Sequence, residues 1–244
     1  MKTSEAIIIG TITLILSFTS TSGARGLFDG WKGERGSGDM ITQERTLQDF
    51  EAIESNIGAD LYITIGSPQK VEVNLDDNLV DFIETEVHGK TLDITCRESY
   101  SSRRGCKITI TVPKLVEIVH SGSGDIEIDG LKNDEFDMDL RGSGDFWING
   151  QTQLLTISLS GSGDGVLEGE TDELDVKISG SGSIDGSDLA ARSARARVSG
   201  SGNIKVKATD DLDASVSGSG NILYYGRPER IDTNVSGSGS IRRR

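Results

Sequence analysis

Three aspartates, Asp125, Asp145 and Asp164, each follow a Gly-Ser-Gly triplet and stand 20 and 19 residues apart. If those intervals are turns of one coil, the carboxylates stack about 5 Å apart and repel unless a cation, a proton or local hydrogen-bond donors relieve them. Oxygen ligands on successive coils suit a hard cation, which makes Asp125, Asp145 and Asp164 a candidate calcium site. Paired carboxylates also serve as general acid and base in glycan-cleaving enzymes. Later copies carry Ser183, Asn203, Asn221 and Ser240 in the same slot. Asp, Asn and Ser share the ability to cap a turn, so the substitution pattern favours a cap over either chemistry. His88 and His120 are the only histidines; neither joins the row, and His120 falls at an inward-facing slot. No catalytic residue is assigned, and no cofactor is expected apart from the calcium alternative.

Cys96 and Cys106, the only cysteines, flank the polar loop from Arg97 to Gly105, each at the edge of a strand-like run, 91–95 and 107–112. In an exported chain, two thiols so placed point to a disulfide closing a hairpin; the alternative is two free thiols. Neither histidine shows ligand spacing with them, which argues against a metal centre.

The elements that must position these groups follow from a repeat. Near-copies of Ser160-Gly161-Ser162-Gly163-Asp164 begin at Ser121, Arg141, Ser160, Ser179, Ser199, Ser217 and Ser236, in steps of 20, 19, 19, 20, 18 and 19 residues. Such a period means one structural unit per coil. Apolar residues alternate after each triplet, as in Asp125-Ile126-Glu127-Ile128-Asp129, and before it, as in Leu174-Asp175-Val176-Lys177-Ile178. Each coil therefore holds two short strands with one face in and one out. One inner wall would stack Met138, Leu140, Ile157, Leu159, Val176, Ile178, Ala196, Val198, Ala214, Val216 and Val235. The other would stack Ile126, Ile128, Phe146, Ile148, Leu167, Ile184, Ile204, Val206, Ile222 and Tyr224.

A single coil cannot bury its inner face, so coils must stack at about 4.8 Å each. The expected fold is an all-β, parallel β-helix-like solenoid with corners at the Gly-Ser-Gly triplets, right-handed by the usual crossover rule. Glycine fits corners where a side chain would clash or φ must be positive. Ser123, Ser143, Ser162, Ser181, Ser201, Ser219 and Ser238 share one corner slot, which predicts a ladder of hydroxyls bonded from corner to corner.

The same register puts outward residues into columns. Glu127, Trp147, Val166, Asp185, Lys205 and Leu223 share one; Asp129, Asn149, Glu168, Ser187, Lys207 and Tyr225 share the next. Exposed aromatic and apolar side chains on a flat sheet suit contact with a glycan or a protein, so Trp147, Val166, Leu223 and Tyr225 are the candidate binding residues. In a third column Arg195 falls between Asp175 and Asp213, an arrangement that balances charge.

Composition narrows the function classes. The chain has 244 residues, 34% of them apolar and 5% aromatic, with 31 Gly and 3 Pro. It lacks the strict Gly-X-Y period of collagen. A net charge of -14 repels phosphate backbones and argues against nucleic acid as a partner, despite Arg242-Arg243-Arg244. Lys2, an apolar run from Ala6 to Phe18 and small residues from Ser20 to Ala24 read as a signal peptide over residues 1–23, with a retained anchor as the alternative. The run is short for a membrane-spanning helix, so no integral membrane domain is expected after cleavage. Residues 24–44 read as a polar leader. Within it Arg35-Gly36-Ser37-Gly38-Asp39 is either an edge turn or a mobile stretch, and Trp31 either caps the fold or moves with the leader.

Strands resume from Arg45, with Leu61-Tyr62-Ile63-Thr64-Ile65 and Val71-Glu72-Val73-Asn74-Leu75 alternating, and a short helical turn between Asp76 and Ile83. Ser55 to Leu61 looks like a degraded corner, so irregular coils over 45–115 would precede the regular ones over 116–241. Phe50-x-x-Ile53, Gly58-x-Asp60-Leu61-Tyr62-Ile63, Val71-x-Val73, Asp76-x-Asn78-Leu79, Glu84-Thr85-Glu86-Val87 and the Ser-Gly-Ser-Gly-Asp series together resemble the head GIN domain family over about residues 40 to 241. That family comprises exported β-rich proteins described as auto-transporter adhesin heads. The resemblance implies a β-helix-like fold and supplies no catalytic residues. The resulting expectation is an exported, non-enzymatic structural or adhesive module of the periplasm, outer surface or secreted fraction, with a glycan or surface protein as partner. The competing class is a carbohydrate-active β-helix enzyme or a calcium-dependent carbohydrate binder.

Overall fold

Period-two alternation can bury one face only when strands stack, and the chain does this along almost its whole described length. The structure, a computed structural model, describes residues 33–244; the signal-peptide run and Trp31 lie outside the described residues. The strands are β1 (Glu34–Arg35), β2 (Met40–Arg45), β3 (Ala52–Ser55), β4 (Asp60–Ile65), β5 (Lys70–Asp76), β6 (Ile83–His88), β7 (Thr91–Cys96), β8 (Tyr100–Ser101), β9 (Lys107–Val112) and β10 (Glu117–Gly122). Then come the long β11 (Ile126–Gly142), β12 (Phe146–Gly161), β13 (Asp164–Gly180), β14 (Ser183–Gly200) and β15 (Asn203–Gly218), followed by β16 (Asn221–Tyr225), β17 (Arg230–Gly237) and β18 (Ser240–Arg243). A single 3-10 turn at Val80–Phe82 separates β5 from β6. Among the described residues no helix is long and apolar enough to cross a membrane.

Two walls result. The first runs β9, β4, the start of β11, then β12 to β15, β16 and β18, all parallel. The second runs β7, β3, β10, the end of β11, then β12 to β15 and β17, also parallel. Each long strand bends between the walls, so one coil is a corner, a first-wall strand, a bend and a second-wall strand. The result is the expected β-solenoid, about seven turns with coils of about 19 residues.

The order of coils along the axis is not the order of the chain. The β3–β4 coil lies between the β7–β9 coil on one side and the β10–β11 coil on the other. After laying down β3 and β4 the chain moves outward to build the end of the stack, then returns to continue on the far side. Antiparallel strands finish that end: β5 pairs β9 and β2, and β6 pairs β7. Leu79, Val80 and Ile83 around the 3-10 turn are buried, as their spacing predicts.

The inner walls match the alternation. From Ile126 to Val216, both expected columns are buried, each side chain larger than alanine worth roughly 1.5–3 kcal/mol of transfer. Two assignments need correction. Val235 is 43% exposed, because β17 is an edge strand with no described strand beyond it, and Tyr224 is only partly buried. The serine hydroxyl ladder is also absent: the serines are exposed, and the corners are linked through their backbones. The amides of Ser143, Ser162, Ser181 and Ser201 donate to the carbonyls of Gly122, Gly142, Gly161 and Gly180 at 3.2, 3.1, 3.0 and 2.9 Å.

This close nesting explains the glycines. A Cβ on Gly144 would collide with the Gly124 carbonyl, and one on Gly200 with the Gly180 carbonyl, where φ is also +133°. Of the two readings of Arg35–Asp39, the structure has the edge turn. The Gly38 amide donates to Asp76 Oδ1 at 2.7 Å, the Ser37 amide to Asn78 Oδ1 at 2.9 Å, and Asn78 Nδ2 to the Arg35 carbonyl at 2.9 Å. Part of the stretch read as leader is therefore strand and turn.

Candidate functional site

The aspartate row sits at the start of the first wall. Asp60 heads it, and each carboxylate accepts the amide of the next coil. Asp60 Oδ1 takes the Asp125 amide at 3.2 Å, Asp125 Oδ1 that of Asp145 at 2.9 Å, Asp145 Oδ1 that of Asp164 at 2.8 Å, and Asp164 Oδ1 that of Ser183 at 2.9 Å. Where the row turns neutral, the bonds pass to side chains: Asn221 Nδ2 donates to Asn203 Oδ1 at 3.1 Å and Ser240 Oγ to Asn221 Oδ1 at 2.8 Å. The capping reading thus has a concrete geometry, from coil to coil. Among the described residues no three His, Cys, Asp or Glu side chains gather closely enough to hold a metal ion.

The first outward column is continuous. Tyr62 pairs in register with Glu127, followed by Trp147, Val166, Asp185, Lys205, Leu223 and Arg242. Trp147 and Val166 lie side by side, the first half-buried and the second 40% exposed. Leu223 is three strands further on, about 14 Å away. Between them Lys205 Nζ meets Asp185 at 2.7 Å. Lys205 and Ser187 hold the Asp185 carboxyl below the usual carboxylate range, against the opposing push of partial burial.

The second column is broken. The register between β13 and β14 shifts after Val166, and that between β14 and β15 after Gly186, so Glu168 pairs Asp188 and Lys207 pairs Ala190. Ser187 lies in that bulge and folds back, its Oγ donating to Asp185 at 2.6 Å. One turn's extra length, 20 residues from Ser179 to Ser199, is absorbed there. Tyr225 is engaged as well: the Arg244 guanidinium lies 6.0 Å from its ring centroid and Arg244 Nη1 donates to its hydroxyl at 3.2 Å. The four candidate residues therefore form two pairs rather than one patch: Trp147 with Val166 on neighbouring strands, and Leu223 with Tyr225 two residues apart on β16.

Tyr62 is the residue that inspection of the regular repeat alone misses. It is 36% exposed, with Lys107 Nζ 5.6 Å from its ring centroid. Aligning Asn56–Leu61 of the degraded corner on Ser121–Ile126 would place it beside Glu127.

A hollow of about 570 Å3 lies over the bend into the second wall. Its sides carry the Asp175, Arg195, Asp213 row and Asp211 with Arg230. Arg195 reaches Asp175 at 3.6 Å and Asp213 at 3.2 Å, Arg197 reaches the same two at 3.4 and 3.8 Å, and Arg230 chelates Asp211. The guanidinium groups are thus already satisfied by carboxylates within the protein. Such exposed pairs contribute about 0–1 kcal/mol each.

Comparison with known proteins agrees with the fold. A putative adhesin from Bacteroides fragilis is similar at 30% identity and a TM-score of 0.80, with the match covering 87% of this chain and 100% of that one. A putative lipid binding protein from Parabacteroides distasonis is 30% identical with a TM-score of 0.73 over the same shares. A putative adhesin from the same species, 23% identical with a TM-score of 0.77, supports the fold alone. No curated protein matches the chain. A family model described as "Putative auto-transporter adhesin, head GIN domain" matches residues 49–228, and the chain belongs to that family.

Proposed function

We propose that the chain is exported and acts as a non-enzymatic adhesion module, presenting the outer face of its first wall to a glycan or protein on another surface. The observation that carries this is the Trp147–Val166 pair, in line with Tyr62, on a sheet whose backbone is fixed by hydrogen bonds to both neighbours. An aromatic ring on a rigid flat support offers contact area at little entropic cost. The hollow over the second wall is the weaker candidate, because its charged groups already pair with one another.

The test is binding of the purified chain to a glycan panel and to whole cells, compared with Trp147→Ala and Tyr62→Ala. A loss of tenfold or more, about 1.4 kcal/mol, is expected for Trp147→Ala. Binding that survives both changes but disappears in Arg195→Ala moves the site to the hollow. Cleavage products from the panel would overturn the non-enzymatic reading.

A further inference from the structure

The two cysteines occupy a place that sequence spacing alone does not reveal. Ser55 of β3 is in register with Ile94 of β7, which sets Ile57 opposite Cys96. Asp60 of β4 is in register with Lys107 of β9, which sets Ala59 opposite Cys106, and the Asp60 amide donates to the Cys106 carbonyl at 3.0 Å. Ile57 and Ala59 in turn lie against Gly122 and Gly124. Cys96 and Cys106 therefore stand in the two corner columns that glycines fill elsewhere. In every other coil those positions are two residues apart, a chain distance of at most about 7 Å. Disulfides bridge Cα atoms about 4.4–6.8 Å apart.

Here the corner is interrupted by residues 97–105, and that loop has a further contact. It carries β8, which is the strand partner of β1. The Glu34 amide donates to the Ser99 carbonyl at 3.0 Å and the Gly36 amide to the Ser101 carbonyl at 2.9 Å. Asp76 ties the same two segments together: the Ser102 side chain beside it and the Gly38 amide hold its carboxyl below the usual range. Segment 33–39 thus rests on a loop whose two ends are the cysteines.

We propose that Cys96 and Cys106 are a modification site: they join in an intramolecular disulfide that closes this corner and clasps segment 33–39 to the end of the coil stack. Both are free thiols in the structure, Cys106 buried and Cys96 partly so. Formation is a thiol–disulfide exchange. The two S–H bonds break, one S–S bond forms, and two electrons and two protons pass to a small disulfide oxidant, which leaves as two thiols. Burial pushes the Cys106 thiol up to about 12 and raises that of Cys96 as well. Both are then poor nucleophiles at neutral pH, so the bond forms while the corner is still open during folding.

The experiment refolds the full chain in a mixture of reduced and oxidised glutathione. Free thiols are then counted by alkylation under denaturing conditions, and the linkage is mapped by mass. The expected result is no free thiol and one Cys96–Cys106 link within a single chain. Reduction should lower the melting temperature by roughly 5–10 °C and speed tryptic cleavage after Arg35. Cleavage after Arg103 or Arg104 should leave the oxidised fragments joined until reductant is added. The variant Cys96→Ser should melt like the reduced protein. Two alkylatable thiols in the folded product, a link between chains, or equal Arg35 cleavage in both redox states would each overturn the clasp.

Discussion

From β10 to β18 every corner passes through two glycines, whereas the coils formed by β3–β4 and by β7–β9 carry Ile57 with Ala59 and Cys96 with Cys106 in the aligned places. In the regular coils each corner nests on the carbonyl of the one before it, and only the absence of a Cβ permits the strand spacing to continue through the turn. At the other end the neighbouring corner is opened by residues 97–105, so Ile57 and Ala59 keep their side chains and bury them. One corner geometry is thus held by omission where coils repeat and by filling where the repeat stops. Regular corners should accordingly fail when something is added, irregular ones when something is removed.

The largest expected effect tests the first half of that contrast. Gly144→Val drives two methyl groups and a Cβ into the Gly124 carbonyl, a backbone atom with no freedom to move without parting two coils. A loss of about 3 kcal/mol or more is expected in denaturant unfolding, at the upper end of overpacking penalties. Ser143→Ala, one residue away, alters only an exposed hydroxyl and should stay within about 0.5 kcal/mol. Equal tolerance of the two changes would refute the nesting account.

Much of this was legible in the residues, and the failures have physical causes. Alternation around the Gly-Ser-Gly triplets gives the inner columns because a period of two admits only one buried face, and the first outward column follows from the same count. The second column fails at Ser187, since equal counting from the corner cannot show where a coil one residue longer places its bulge. The serine slot misleads for a different reason. Its constancy reflects a position that faces water beside two glycines, while the bonds between corners come from backbone amides common to all residue types. The out-of-order placement of the β3–β4 coil is invisible because parallel pairing depends on space, not on sequence distance. The same fact hides the alignment of Cys96 and Cys106 with the glycine columns.

A smaller effect tests the irregular end. His120 on β10 and Ser55 on β3 are neighbours in register, both fully buried, and neither His120 nitrogen nor the Ser55 hydroxyl has a partner. In the next coil the slot holds Leu140. Burial lowers the His120 pKa below its ordinary value. The unfolded chain therefore binds the proton first as pH falls, so stability should decline below about pH 6.5, the unperturbed histidine value. His120→Leu removes an unsatisfied polar group and should raise stability by about 1–2 kcal/mol at pH 7 and flatten its dependence on acid. A variant that is less stable, with the acid dependence unchanged, would mean that the imidazole holds a partner at this site.

The smallest effect concerns the row at which charge and capping meet. Asp145 accepts the Asp164 amide while its neighbours Asp125 and Asp164 stand one strand spacing away on either side. An exposed carboxylate acceptor contributes on the order of 1 kcal/mol, and like charges about 5 Å apart in water repel by roughly the same amount. The two terms nearly cancel, so the substituent decides the sign. Asp145→Ala loses the acceptor together with the repulsion, so it should destabilise by no more than about 0.5 kcal/mol. Asp145→Asn keeps an acceptor and relieves the repulsion, so it should be neutral or slightly stabilising, with the gain shrinking as salt screens the wild-type row. Melting curves in millimolar calcium separate this from a cation site: the wild type should not shift. A calcium-dependent rise that Asp145→Asn abolishes would instead assign the row to the metal, and the regular corners would then be held by a ligand as well as by the missing side chains.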